Sequence, residues 1–153
     1  RAVALCDDLV SAGIDATVEA DLARARWQKL MWNIPFNGLS VVLDASTEEL
    51  MANADSLALS RMLIEEVHRA ADACGAVIDE RQIQRTLDVT HQMVPYDSSM
   101  RIDYLNRRPM EVEAIFGNPI RRANAVGCKM PCAEMLYHEL SFLDRQCSGA
   151  TRP

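Results

Sequence analysis

Apolar positions recur at helical spacing in one segment after another of this chain, with glycines and prolines between the segments. Val3, Leu5, Leu9 and Val10 fall among polar residues from Ala2 to Ala12 and Gly13 follows as a C-terminal cap, so a short first helix is predicted. From Asp15 to Ala20 small apolar and polar residues alternate instead, the one clear period-two signal, which predicts a strand. A lone strand is not stable without a partner, and no second candidate occurs. Its sheet is therefore expected to lie outside this chain.

From Asp21 to Leu43 the pattern is helical again, with Leu22, Trp27, Leu30, Met31, Ile34, Leu39 and Val42 supplying the core face. Pro35 lies inside this segment and predicts a kink or break there, because it lacks the N–H of a helix interior. Ser46-Thr47-Glu48-Glu49 reads as a capping box that starts a short helix. Longer helices are predicted from Asp55 to Cys74, closed by Gly75, and from Asp79 to Met93, ahead of Pro95. Asp97-Ser98-Ser99-Met100 starts another. Pro109 is expected to open a helix that ends at Gly127, and Pro131 the last one, which carries Met135, Leu136, Leu140, Phe142 and Leu143 inward before a frayed tail at 148–153.

With 153 residues, 49% hydrophobic and 25% charged, the chain has the length and composition of one globular domain that needs neither disulfides nor metal to fold. The net charge of -6 and the lack of a basic run exclude a nucleic-acid partner from the expectation. No apolar window is long enough for a membrane span, and the early acidic pair Asp7-Asp8 does not suit a signal peptide, so a cytoplasmic protein is expected. Cys6, Cys74, Cys128, Cys132 and Cys147 are odd in number and scattered, which suits structural reduced thiols. Cys128 and Cys132 lack a second ligand pair at metal-site spacing, so no metal is expected. His68, His91 and His138 are far apart and read as surface or interface residues.

Lys29, Asn33 and Asn37 are spaced four apart, which at helical pitch puts a lysine and two amides on one stripe of an otherwise apolar segment. Such a stripe needs solvent or a ligand to satisfy it, and a small anionic or carbonyl ligand would do so. A lysine head reaching water with two amides capping local backbone is the alternative. Glu111, in the first turn of the helix expected after Pro109, is favoured by the helix dipole whatever else it does. Ser99 has an equally ordinary use as a cap residue. Arg107, Arg108, Arg121 and Arg122 form a solvated face or pair with Glu111, Glu113 and Asp103. No hydrolase triad or dyad is evident.

Four blocks together resemble a known pattern: Trp27-x-Lys29-Leu30-x-x-Asn33-x-x-x-Asn37, Ser98-Ser99-Met100-x-x-Asp103, Glu111-Val112-Glu113-Ala114-Ile115-x-Gly117, and Gly127-x-x-x-Pro131. In order and spacing, from about Asp21 to Leu143, they are similar to the C-terminal domain of the ketopantoate reductase family, whose members convert ketopantoate to pantoate in pantothenate biosynthesis. The resemblance implies an all-α, multi-helical domain of the 6-phosphogluconate dehydrogenase C-terminal-like type. It also implies a preceding Rossmann domain that binds NADPH, of which residues 1–20 would be a helix-strand remnant. The helical substrate-binding and dimerisation domain would span 21–147, and 148–153 would be the tail.

On this resemblance Lys29 matches the lysine that donates a proton to the substrate carbonyl, and Asn33, Asn37 and Ser99 match residues that hold the substrate's hydroxyl and carboxylate. Glu111 matches the acidic residue near the lysine and the nicotinamide end of the cofactor. Tyr96 and Thr47 stand where the best-known members place asparagines that bear on substrate recognition. No Gly-x-Gly-x-x-Gly occurs in the chain, so it is expected to be the substrate-binding half of an NADPH-dependent 2-oxo acid reductase, inactive alone and forming a homodimer. A stand-alone helical interaction module without catalysis is the alternative.

Overall fold

The computed structural model describes residues 1–94 and 96–149 and is helical throughout its regular structure. The helices are α1 (Ala2–Ser11), α2 (Leu22–Val42), α3 (Thr47–Ala52), α4 (Ala54–Ala73), α5 (Arg81–Gln92), α6 (Ser99–Leu105), a π-helical turn (Glu113–Gly117) continuous with α7 (Asn118–Ala125), and α8 (Pro131–Gly149). Pro95 and most of the expected tail at 148–153 lie outside the described residues.

The centre of the fold is α2, which packs on α4, α8, α6 and the π-turn. Its first half is amphipathic, with Trp27 and Met31 buried and Lys29 outside. From Ile34 to Val41 every residue is buried. A helix covered on all sides is a core helix. This explains why Pro35 does not break it as the sequence predicts. The proline denies Met31 O its helical donor, at a cost of about 3 kcal/mol, but Ile34 and Phe36 beside it are fully buried and tertiary packing holds the segment helical. Gly38 lets the neighbours approach: a Cβ there would stand 2.4 Å from Leu136 Cδ2 and 3.0 Å from Phe116 Cζ.

Local signals set most helix ends. Ser46 and Glu49 form the reciprocal capping box, Asn53 Oδ1 caps α4 at the N–H groups of Asp55 and Ser56, and Gly75 and Gly127 take the positive φ that follows α4 and α7. The start of α8 uses a distant partner as well. Glu66 of α4, 1% exposed, accepts hydrogen bonds from the backbone N–H of Cys132 at 3.1 Å and of Ala133 at 2.8 Å, so a buried carboxylate meets the positive end of a helix dipole.

Besides the break at Pro35, three expectations are corrected. The segment Asp15–Ala20 forms no strand among the described residues, since no neighbouring strand is there to pair with it, and α1 before it buries none of its residues. Pro109 does not open a helix: the chain from Arg108 to Glu111 is irregular, and helical structure starts at Val112. Along α8, Leu136 and Leu140 are buried, whereas Met135 is 61% and Phe142 56% exposed, on a different face of the helix from the core stripe. His68 keeps a half-exposed place, with Nε2 2.8 Å from the carbonyl oxygen of Ile78.

Candidate active site

The first half of α2 supplies one wall of a candidate site. Asp21 caps it by accepting from the N–H of Arg24 at 3.0 Å, and because Trp27 and Met31 face the core, Lys29 and Asn33 point away from it. Lys29 is exposed and Asn33 half-buried. The opposite wall is the segment ahead of the π-turn. Met110 and Val112 are buried on either side of Glu111, and the N–H of Met110 donates to Asp144 Oδ1 at 2.8 Å, while Glu111 itself is exposed. The Glu111 carbonyl accepts from the N–H of Ile115 at 3.0 Å, placing the residue at the helix start rather than within its first turn.

Lys29, Asn33 and Glu111 thus line one open cavity of about 270 Å³, with Arg26, Leu30, Ala114 and Ile115 completing it. Among the described residues no ion pair joins Lys29 to Glu111, so ammonium and carboxylate face the same space with their hydrogen-bonding capacity available to a ligand. The adjoining π-turn belongs to a rare class of helix that recurs at functional sites. Glu113, within it, accepts from the Tyr137 hydroxyl and from Arg121 Nη2, the latter at 2.7 Å; these bonds hold its carboxyl below the ordinary 4.5 and fasten the turn to α8 and α7. Of the other arginines, Arg108 pairs with Asp103 at 2.8 Å.

Asn37 and Ser99 do not line this cavity. Asn37 is 2% exposed, and its Oδ1 is buried with no hydrogen-bond partner. Ser98 takes the interior place beside it: its hydroxyl caps α6 at the N–H of Arg101 and lies 2.7 Å from the hydroxyl of Ser40, which in turn donates to the carbonyl of Asn37. Ser99, one residue on, is exposed as the first residue of α6.

The two positions that depart from the family pattern touch each other. Thr47 Oγ1 donates to the Tyr96 carbonyl at 3.0 Å, and the Tyr96 ring stacks on Trp32 with centroids 6.0 Å apart. Trp32 Nε1 donates to Thr90 Oγ1 at 3.1 Å, and partial burial pushes the Tyr96 phenol up. The sequence reading passed over Arg26; its place three residues before Lys29, on a neighbouring part of the same helix face, was the available signal. Among the described residues no cluster of three or more His, Cys, Asp or Glu could hold a metal ion, and no helix is long and apolar enough to cross a membrane.

Residues 21–144 match the family described as "Ketopantoate reductase PanE/ApbA C terminal". A 2-dehydropantoate 2-reductase of Nostoc sp. (strain PCC 7120) is 50% identical over 137 residues, which cover 90% of this chain and 43% of that protein. The crystal structure of 2-dehydropantoate 2-reductase from Methylococcus capsulatus superposes with a TM-score of 0.91 at 30% identity, covering 97% of this chain and 47% of that one. A dimeric ketopantoate reductase from Staphylococcus aureus superposes with a TM-score of 0.83 at 26% identity, over 95% of this chain and 51% of its own. The chain spans about half the length of these relatives.

Proposed function

This chain belongs to the ketopantoate reductase C-terminal family, and on that premise we propose that it is the substrate-binding half of an NADPH-dependent 2-oxo acid reductase of the 2-dehydropantoate 2-reductase type. One observation carries the reading: residues from opposite halves of the chain, Lys29 and Asn33 on α2 and Glu111 ahead of the π-turn, line a single cavity. That grouping, with the family match, favours the reductase over a non-catalytic interaction module.

The reaction adds a hydride to the carbonyl carbon and a proton to the carbonyl oxygen. NADPH, when bound, supplies the hydride. Lys29 Nζ donates the proton to the oxygen as negative charge develops on it, and its ammonium steadies that charge before transfer. Asn33 orients the substrate by hydrogen bonds from its amide. Asn37 and Ser99 lie outside this cavity; the family resemblance gives them the substrate's hydroxyl and carboxylate, which they would reach only in the assembled enzyme. Glu111 presents its carboxylate to the same cavity as Lys29, where it would orient the ammonium toward the substrate carbonyl.

The cavity suits a small 2-oxo acid and is far too small for a whole dinucleotide. Its donors are one lysine, one arginine and one amide, without a glycine-rich cradle for pyrophosphate. Glu111 would accordingly meet only the nicotinamide end of the cofactor, and residues outside this chain would hold the rest. In this reading residues 1–20 belong with that dinucleotide-binding domain, 21–147 form the substrate-binding and dimerisation domain, and 148–153 are a tail. The exposed Met135 and Phe142 on α8 suit a homodimer, and the absence of a membrane-crossing helix among the described residues suits a cytoplasmic enzyme.

Steady-state kinetics of Lys29→Ala in the full-length protein test the assignment. A positioned general acid contributes roughly 10²–10⁴-fold, so kcat should fall by that factor while NADPH affinity barely moves. A variant that kept the parent kcat on its best 2-oxo acid would sink the catalytic role of Lys29.

A further inference from the structure

The cavity that holds Lys29 continues past Arg26. Arg26, Leu30 and Ala114 line both it and a second concavity of about 560 Å³ between α2 and α7, whose far side carries Arg122 and Asn118 and whose apolar wall includes Trp27. The polar character of this second space is one-sided. No carboxylate lines it, although the chain as a whole carries a net charge of -6. Among the described residues neither Arg26 nor Arg122 is in an ion pair. Asn118 Oδ1 already accepts from Arg121 at 2.8 Å, which leaves its amide hydrogens as donors.

We propose that Arg26, Arg122 and Asn118 form an oxyanion subsite continuous with the Lys29 cavity, and that it takes the distal phosphate or carboxylate of a molecule whose other end lies beside Lys29. Two guanidiniums and an amide supply planar, charge-assisted donors, and guanidinium is the group that best matches such oxyanions. Arg26 lines both spaces and so stands where the two ends of the ligand meet. The oxyanion has two available sources: the phosphates of the dinucleotide, or the second carboxylate of a 2-oxo dicarboxylic acid. The inference rests on reading the Lys29 cavity as the place of the 2-oxo acid.

The test compares Arg26→Gln, Arg122→Gln and the double variant with the parent in the full-length protein. Both arginines are exposed, so the fold should tolerate the changes. Calorimetry with inorganic pyrophosphate, fluorescence titration with NADPH, and KM for 2-oxobutanoate and 2-oxoglutarate are the readouts. Loss of pyrophosphate binding with a roughly tenfold or greater rise in the NADPH Kd assigns the subsite to cofactor phosphate. An unchanged NADPH Kd in Arg122→Gln, with its KM for 2-oxoglutarate raised about tenfold and that for 2-oxobutanoate unmoved, assigns it to a second carboxylate. If the double variant alters none of the four readouts by more than about twofold, the subsite is overturned, and the role of Lys29 stands untouched. If Lys29→Ala keeps its kcat while the double variant still loses pyrophosphate, the subsite survives and the 2-oxo acid reading fails.

Discussion

The Oδ1 of Asn37 is buried without a donor, and an acceptor left so costs about 1–3 kcal/mol. Packing alone would place hydrocarbon there, among Phe36, Leu39 and Met31 of the core. Asn37→Leu keeps nearly the same shape and removes the unsatisfied oxygen, so in urea unfolding the midpoint should hold or rise, by up to about 1 kcal/mol of stability. In the full-length enzyme the same variant should raise KM more than it lowers kcat, because holding a substrate group is mostly ground-state binding. A less stable variant with unchanged KM would make Asn37 a structural residue. Lys29 presents the reverse case: its side chain is exposed, so Lys29→Ala should act on turnover and leave stability nearly alone.

Elements are joined in this fold by contacts between residues far apart in sequence. Gly38 is where α2 lies against α8 and the π-turn. In Gly38→Ala the added methyl would meet Leu136 and Phe116, both buried, so overpacking should cost about 1–3 kcal/mol by chemical denaturation. An unchanged midpoint would show that Leu136 finds another rotamer. Glu66 joins α4 to α8 by a different force. Glu66→Gln keeps the shape, removes the charge, and turns an NH₂ donor toward one of two backbone donors, so about 1.5–3 kcal/mol should be lost. Equal stability of the two proteins at neutral pH would mean that the cap is held by shape and not by charge.

For the whole molecule, acid should loosen several joints together. Hydrogen bonds from Tyr137 and Arg121 depress Glu113, those from the Ser46 backbone and hydroxyl depress Glu49, and Arg81 holds Asp79 at about 2 instead of the ordinary 3.8. A carboxylate with a depressed folded pKa stabilises the fold above its unfolded value and loses that contribution as pH falls through the folded value. The window therefore opens near the ordinary 4.5 of the glutamates and extends down to about 2 for Asp79. Thermal unfolding should show Tm falling as pH drops from about 5 to about 3, and Glu113→Gln should make that fall shallower. A parallel profile for the variant would remove Glu113 from the acid response. The helices themselves were legible in the sequence because their signals are local: apolar spacing, the Ser46 box, glycines at positive φ after α4 and α7, and Pro131 at the start of α8. The Lys29, Asn33, Asn37 stripe was equally legible, since helical pitch alone puts those residues on one line. Tertiary structure alone decided which of them share a cavity, that Pro35 stays within an unbroken helix, that Ser98 and not Ser99 is interior, and that Glu66 caps a helix across the core. Each of these depends on what lies on the far side of a side chain, and a one-dimensional pattern records only what lies before and after it.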